Sequence, residues 1–396
     1  MVGETALARA RAAGNTPDQG PILNNLGVVY SLRGNVLKAA EYYQEAYRLY
    51  QSWHDEVRAA QIQANRGAML IEYGKPDEGI HDIENALPVL EKLRDRRFQI
   101  LCLRARATFY RNQGRHKEAI RQLNMGLQLA SAQNLAEPMG LMRTFLAASQ
   151  LEMGDYDQAR QSLLLALKDG TGRQITEARI RLARTYVRLG DFAQADEELQ
   201  RAERELQASP NASRQSLLAL VRGEWGFESG RPSRELRASF ERARAVVPEP
   251  LRELEPSAIE ARAYLGSMYA GDGRLDLGRQ MIRDSIRAAE NLHQLSLQAR
   301  CRLLLAEIET AQRRFSEAHE LLNQIPREDD ERTLDPDLRA QSHYLRGRLE
   351  NAQGNRAAAD QNAAAAQELI RKLEERLPQE YRALFAKRLT VRRLLR

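Results

Sequence analysis

A small residue, Gly or Ala, recurs nine times along this chain at intervals close to 40 residues. The spacings are 40, 40, 40, 36, 40, 43, 40 and 41, and a turn position follows seven residues after each small residue. Eight of the nine turn positions hold Gly, which adopts a positive φ after a helix most readily, and the ninth holds Arg313. The chain is therefore predicted to be an array of helix–turn–helix units. The small residues are Gly27, Gly67, Ala107, Ala147, Ala183, Gly223, Gly266, Ala306 and Gly347.

The second helix of each unit carries its own pattern. Ala or Gly precedes a large apolar residue by four positions, as in Ala39 with Tyr43 and Ala159 with Leu163. Residues four apart lie on one face of a helix. We therefore expect the small residues to let paired helices approach closely while the large residues fill the space between units.

The first unit shows the pattern most completely, with Leu26, Gly27, Tyr30, the turn residue Gly34 and Ala39. It resembles the tetratricopeptide repeat, and the resemblance extends over about residues 18–370. The period near 40 is similar to the long-unit arrays of kinesin light chain and of bacterial regulators such as the maltose-type transcription activators. The resemblance implies an all-α, right-handed superhelical solenoid of nine hairpins with terminal capping helices, which binds a peptide, a partner domain or a small effector.

Four segments follow from the repeat boundaries. Residues 1–17 are expected to be a partial repeat or an N-terminal capping helix, and residues 18–208 hold repeats one to five. Residues 209–370 hold the less regular repeats six to nine, and residues 371–396 form a basic C-terminal capping helix. Both chain ends resemble parts of something longer, which suggests a fragment of a larger bacterial signalling or transcription regulator.

The formal charge of +6 is concentrated at one end of the chain. Nine basic and three acidic residues lie between Arg371 and Arg396, so the first 370 residues are neutral overall. Leucines and Phe385 are interspersed among these cations, as in an amphipathic helix that covers the last repeat. Binding to an acidic partner, to nucleic acid or to a membrane surface is the alternative use of such a tail.

Composition favours a cytoplasmic protein. No apolar run approaches the roughly 18 residues that a membrane-spanning helix needs, and the first residues lack the apolar core of a signal peptide. The two cysteines, Cys102 and Cys301, lie five repeats apart and are expected to be buried and unpaired.

The sequence contains none of the common catalytic motifs. Gly-x-x-x-x-Gly-Lys-Ser/Thr, His-Glu-x-x-His, Gly-x-Ser-x-Gly and Cys-x-x-Cys are all absent, and no two of the six histidines have metal-ligand spacing. We therefore expect no enzyme activity, no cofactor and no metal. The alternatives are a nucleic-acid-associated regulator that uses the basic tail and an accessory subunit of an enzyme.

Function is then expected on the concave groove, which the first helices line in tetratricopeptide arrays. Asparagines at the inner positions can bind the backbone of an extended peptide, because an amide both donates and accepts hydrogen bonds. Arginines on the same lining can bind carboxylates, which suggests an acidic protein or peptide partner. The oligomeric state is left open. The expected groove residues are Asn24, Asn25, Asn65, Arg104, Thr108, Arg111, Arg184 and Arg188.

Overall fold

The computed structural model describes residues 2–33, 35–170, 173–326 and 332–395. These residues form 21 α-helices and one short 3-10 helix, and they contain no strand. No helix within the described ranges is long and apolar enough to cross a membrane. The all-helical prediction is confirmed, whereas the predicted turn residue Gly34 lies outside the described residues.

The chain divides into two compact units. Unit 1 comprises Met1–Phe109 with Arg121–Asn134, and unit 2 comprises Tyr110–Ile120 with Leu135–Arg396. Two helices, α6 (Arg96–Asn112) and α7 (His116–Ser131), have residues in both units. The remaining helices of unit 1 are α1 (Val2–Ala12), α2 (Thr16–Leu32), α3 (Val36–Ser52), α4 (Glu56–Glu72) and α5 (Pro76–Lys92).

Unit 2 contains the rest of the array and a C-terminal extension. Its second helices include two short ones, α13 and α17. Its helices are α8 (Ala136–Glu152), α9 (Tyr156–Asp169), α10 (Arg173–Leu189), α11 (Phe192–Ala208), α12 (Ala212–Ser229), α13 (Ser233–Ala245), α14 (Pro256–Gly271), α15 (Leu275–Asn291), α16 (Leu295–Ala311), α17 (Phe315–Asn323), α18 (Pro336–Ala352), α19 (Arg356–Arg376), α20 (Gln379–Phe385) and α21 (Leu389–Leu394).

Consecutive helices pack as hairpins, in the pairs that the sequence period predicts. α2 packs on α3 and α4 on α5 in unit 1, and the same pairing continues from α8 with α9 to α18 with α19 in unit 2. The small residues allow this close packing. A Cβ added to Gly67 in α4 would lie 2.7 Å from the carbonyl oxygen of Gly79 in α5, which is too close for any side chain.

Polar side chains and left-handed turn residues set the helix ends. Asn35, Asp55 and Asp191 each accept a hydrogen bond from a backbone N–H in the first turn of the helix that follows. From the second hairpin onward, the turn residue that follows each first helix has a positive φ. Arg313, the one turn residue that is not Gly, shares this conformation with φ of 58°. The residue type changes in the eighth hairpin, but the turn does not.

Unit 1 begins with α1, which packs on the first hairpin. Leu7 of α1 is buried in one apolar cluster with Leu23, Leu26 and Tyr30 of α2 and Tyr43 of α3. The role of residues 1–17 as a partial repeat or an N-terminal capping helix stays a prediction.

In unit 2 the C-terminal extension packs on hairpins that are distant in sequence. α20 contacts α10, and α21 contacts α12, α18 and α19. Gly190, with φ of 78°, lies directly against the carbonyl group of Leu384, and an added Cβ would clash with that group. The turn after α10 therefore needs Gly both for its backbone conformation and for this contact.

The C-terminal segment differs from the single capping helix expected over residues 371–396. α19 continues to Arg376, Leu377 and Pro378 adopt extended conformations, and the two short helices α20 and α21 follow. Proline restricts the residue before it to extended conformations, so it ends α19 at this point. The short helices can then reach α10 and α12 in addition to the last hairpin.

Candidate functional site

Two asparagine side chains of unit 1 hydrogen-bond to each other, but they are not the two that lie one repeat apart in the sequence. The Nδ2 atom of Asn65 donates to the Oδ1 atom of Asn24 at 3.1 Å, and both side chains are half-buried. Asn25, the residue 40 positions before Asn65, is exposed. Adjacent hairpins thus place one amide pair, Asn24 with Asn65, on the lining.

The other expected residues of unit 1 contact their own chain. Arg104 donates from Nη1 to Oε1 of Glu72 at 2.8 Å, and its side chain is 13% exposed. Thr108 is buried, and its hydroxyl donates to the Arg104 carbonyl oxygen one turn earlier at 3.1 Å. Thr108 therefore directs its hydroxyl toward its own helix.

In unit 2, Arg111 lies over the ring of Phe145, with its guanidinium carbon 5.6 Å from the ring centroid. Arg184 and Arg188 belong to a group of buried and half-buried charges that we name the ion cluster. Sequence reasoning selected only these two of its nine members. The ion cluster comprises Arg184, Arg188, Glu224, Glu228, Glu260, Arg300, Asp335, Asp337 and Arg388.

One half of the ion cluster joins four first helices. Arg184 of α10 contacts Glu224 of α12 at 2.6 Å and Glu260 of α14 at 3.1 Å, and Arg300 of α16 contacts Glu260 at 2.8 Å. Burial alone raises the pKa of Glu224, but the adjacent Arg184 and Arg188 outweigh it, so that the pKa is lowered. Glu224 is therefore held in its charged form.

The other half centres on Asp337. Arg188 contacts Asp337 at 2.7 Å and Asp335 at 3.7 Å, and Arg388 of the C-terminal segment contacts both Asp337 and Glu228. Burial raises the pKa of Asp337, and Arg388 and Arg188 together lower it below its ordinary value. Burial raises the pKa of Asp335 to about 7, since Arg188 offsets that effect only in part and Asp337 adds to it.

A cavity of about 380 Å³ adjoins the ion cluster, and we name it the apolar cavity. The first helices of five consecutive hairpins line it, from α10 to α18, and α13 and α21 complete its wall. Arg188, Glu224, Glu228 and Arg300 contribute polar groups. Its apolar lining is Val187, Phe227, Leu236, Phe240, Tyr264, Met268, Leu303, Leu304, Tyr344, Leu345 and Leu394.

A second cavity, of about 250 Å³, shares Arg300 with the apolar cavity and is lined by more charged groups, Glu260 among them. Arg111 and Arg184, two of the expected groove residues, line it, whereas Arg188 lines the apolar cavity. The structure therefore brings Arg184 and Arg188 into one ion cluster but separates their surfaces into two cavities.

One sequence signal could have revealed part of the ion cluster. Arg184 and Glu224 are 40 residues apart, which is one repeat, and equivalent positions of adjacent first helices face each other. No such signal marks Asp337 or Arg388, because Arg388 lies outside the repeats and contacts Glu228 across 160 residues of sequence.

Comparisons with known proteins agree with this architecture. A sequence model of the tetratricopeptide repeat family matches residues 2–52 and 146–213. No curated protein sequence matches the chain. A Rap protein complexed with competence and sporulation factor aligns at 14% identity over 91% of this chain and 99% of its own, with a TM-score of 0.57.

Two further solved structures are similar at the level of the fold. The Rap conjugation gene regulator of the plasmid pLS20, in complex with the Phr* peptide, aligns at 14% identity over 72% of this chain and 78% of its own, with a TM-score of 0.58. The human IFIT1 dimer with m7Gppp-AAAA aligns at 15% identity over 90% of this chain and 80% of its own, with a TM-score of 0.52. The chain is an all-helical repeat protein. More narrowly, it is a tetratricopeptide-like helical repeat protein.

Proposed function

We propose that this chain is a non-catalytic protein-interaction module that binds a peptide, or an extended segment of a partner protein, in the apolar cavity of unit 2. The observation that carries the proposal is the cavity itself, in which apolar side chains from five consecutive first helices surround a few charged groups. Binding sites typically combine a mostly apolar, concave lining with a small number of placed polar groups. A peptide would contribute apolar side chains to the lining and a charged group to the ion cluster.

A peptide ligand in a protein of similar fold supports this proposal. The pLS20 regulator was solved with the Phr* peptide, and its name describes a regulator of conjugation genes. A signalling or regulatory role fits this chain for the same reason. Fold similarity at 14% identity does not transfer the site, so the location that we propose rests on the cavity of this chain alone.

The internal contacts of the ion cluster change the kind of partner that is expected in unit 2. Arg184 and Arg188 already contact the chain's own carboxylates, so an acidic ligand would have to displace Glu224 or Asp337. The basic tail is also engaged, since Arg388 is buried and Arg393 contacts Glu307. These contacts disfavour the alternative of a nucleic-acid-binding tail.

Unit 1 offers a second surface for the same function. The amides of Asn24 and Asn65 use one donor and one acceptor on each other, and each amide carries further hydrogen-bonding groups. We propose that these amides, with the exposed Asn25, bind peptide backbone, and that Arg104 binds an acidic side chain by exchanging its contact with Glu72.

Selection from a displayed library of random peptides would test the proposal on the full chain. Fluorescence polarisation would then give the affinity of each selected peptide for the parent and for Leu304→Glu. Leu304 lines the apolar cavity and is half-buried, so a carboxylate there should weaken binding by about tenfold or more because it must be desolvated on binding. In the same assay, the double variant Asn25→Ala with Asn65→Ala tests whether the amides of unit 1 contribute to peptide binding.

Leu165→Glu is the matched control, since Leu165 is 47% exposed on α9 and does not line the cavity. It should bind as the parent does. If the library yields no binding peptide, or if selected peptides bind Leu304→Glu as tightly as the parent, the apolar cavity is not the site.

A further inference from the structure

We propose that the surface beside the apolar cavity that residues 388–394 cover recognises segments in which an arginine precedes apolar residues, and that residues 388–394 of this chain are an internal occupant that such a partner displaces. The inference rests on the proposed function and adds the ligand class and its competitor. It derives from the contacts of the C-terminal segment within unit 2.

Arg388 is fully buried, which is unusual for an arginine. Its Nη2 atom donates to Oε1 of Glu228 at 2.9 Å and also contacts Asp337, while Nη1 donates to the Arg188 carbonyl oxygen at 3.3 Å. Arg392, one helical turn later, is exposed. The arginine that precedes α21 is therefore bound in a site, and Arg392 within the helix is not.

The residues after Arg388 extend this mode of binding. The backbone N–H of Thr390 donates to Oε2 of Glu228 at 3.0 Å, so a single carboxylate binds both the side chain of Arg388 and the backbone two residues later. Val391 and Leu394 are buried, and Leu394 forms part of the wall of the apolar cavity. The segment thus makes the kinds of contact that a bound peptide makes: a charged anchor, a backbone hydrogen bond and apolar side chains.

The site would be acidic without its occupant. Asp337 would then keep its contact with Arg188, whereas Glu228 would lose its contact with Arg388. Buried charges that lose their partner are strongly unfavourable, so the site requires a cation from some source. Guanidinium fits better than ammonium, because its planar fork donates to two carboxylates and a carbonyl oxygen at once.

The preceding residues provide a point at which the segment can separate from the rest of the molecule. Ala386 and Lys387 are exposed and lie between α20 and α21. α21 is only six residues long, so its position depends on the contacts of Arg388, Thr390, Val391 and Leu394. A partner segment that supplies an equivalent arginine can therefore compete for the site at modest cost.

The probe for this inference is a fluorescently labelled synthetic peptide of residues 386–395, Ala-Lys-Arg-Leu-Thr-Val-Arg-Arg-Leu-Leu, added to the full chain. In the parent the tethered segment competes at an effective concentration on the order of millimolar, so the added peptide should bind weakly. Arg388→Ala weakens the internal competitor, and this variant should bind the peptide about tenfold more tightly or better. The peptide in which alanine replaces the arginine of position 388 should lose about tenfold or more in affinity for that variant.

Arg392→Ala, made in the chain or in the peptide, is the matched control and should leave both affinities unchanged. A scrambled peptide of the same composition should not bind, which separates recognition from general attraction of cations. Equal binding of the labelled peptide to the parent and to Arg388→Ala would overturn the inference. If circular dichroism shows that Arg388→Ala has lost helicity, Arg388→Lys replaces it, and the lysine variant should bind the peptide more tightly than the parent.

Hydrogen exchange on the parent chain separates this inference from the proposed function. A peptide selected from the library should increase the exchange of backbone amides in residues 388–394, because it displaces them. Selected peptides that depend on Leu304 but leave this exchange unchanged would overturn the inference and keep the proposed function. If no library peptide binds while the 386–395 peptide does, the proposed function fails and the arginine site stands.

Discussion

At the scale of single residues, the turn sites show how strictly the repeat fixes backbone conformation. Arg313 occupies the position where other units have Gly, and it adopts the same left-handed conformation, with φ of 58°. A side chain with a Cβ atom pays about 1–2 kcal/mol for that conformation. The packing of the helices on either side therefore holds Arg313 in a backbone state that its own preference opposes.

Arg313→Gly should raise the free energy of unfolding by about 0.5–1 kcal/mol, since relief of the unfavourable φ exceeds the extra entropy that Gly gives the unfolded chain. Urea denaturation followed by circular dichroism measures the change. The matched control is Gly273→Ala, because Gly273 has φ of 85° and no atom within 4 Å of an added Cβ. The control should be destabilised, and a destabilised Arg313→Gly would contradict the explanation.

At the scale of helices, the second helices of unit 2 differ in how firmly they are attached. α17 has nine residues and buries only Ala318 and Leu322, whereas α11 has 17 residues and buries five along its length. The short helix has fewer hydrogen bonds and less apolar contact to hold it. Local opening should therefore begin in the less regular later repeats.

Native-state hydrogen exchange should be faster in α17 than in α11, by about tenfold or more at equal intrinsic rates. Exchange measured by mass spectrometry on peptide fragments resolves the two helices. α15, which has 17 residues and lies in the hairpin before α17, is the internal comparison and should exchange as slowly as α11. This view would be contradicted if α17 exchanged more slowly than the other helices of unit 2.

At the scale of the whole molecule, charge placement within unit 2 links stability to pH. Burial raises the pKa of Asp335 to about 7, so the folded protein favours the protonated form of this carboxyl more than the unfolded chain does. A carboxyl whose folded pKa is raised contributes stability at low pH and loses it as pH increases through that folded value. Asp335 should therefore lower the free energy of unfolding progressively between about pH 4 and pH 7.

Asp335→Asn should increase the free energy of unfolding above pH 7 by at least about 1 kcal/mol, since one pKa unit corresponds to about 1.4 kcal/mol. Asparagine preserves the cap, in which the side chain of Asp335 accepts from the backbone N–H of Asp337 at 3.0 Å. Denaturation of both proteins at several pH values gives the difference, which should grow from pH 4 to pH 7 and then level. Asp276→Asn, at an exposed position in the first turn of α15, should show no such trend. A difference for Asp335→Asn that does not vary with pH would contradict the assignment.

The sequence by itself determined the repeats, because their causes are local. Helix periodicity, small residues such as Gly67 and turn residues such as Gly190 act within one hairpin or between neighbours, so their spacing predicts the all-helical array, its pairing and even the exceptional turn at Arg313. The same spacing predicts that the first helices line a groove, but it does not predict which of their side chains pair with other residues of the chain.

Only the tertiary structure decided which charges meet. Arg388 reaches Glu228 across 160 residues and Asp337 across 51, and the repeat pattern marks neither contact because Arg388 lies outside the repeats. A proline after α19 and two short helices direct this segment onto α10 and α12, where its contacts depend on shape and burial that no local pattern encodes. The groove that the sequence presents as open and cationic is therefore, in unit 2, internally paired. The reason is that charges removed from water must find partners wherever the fold brings them together.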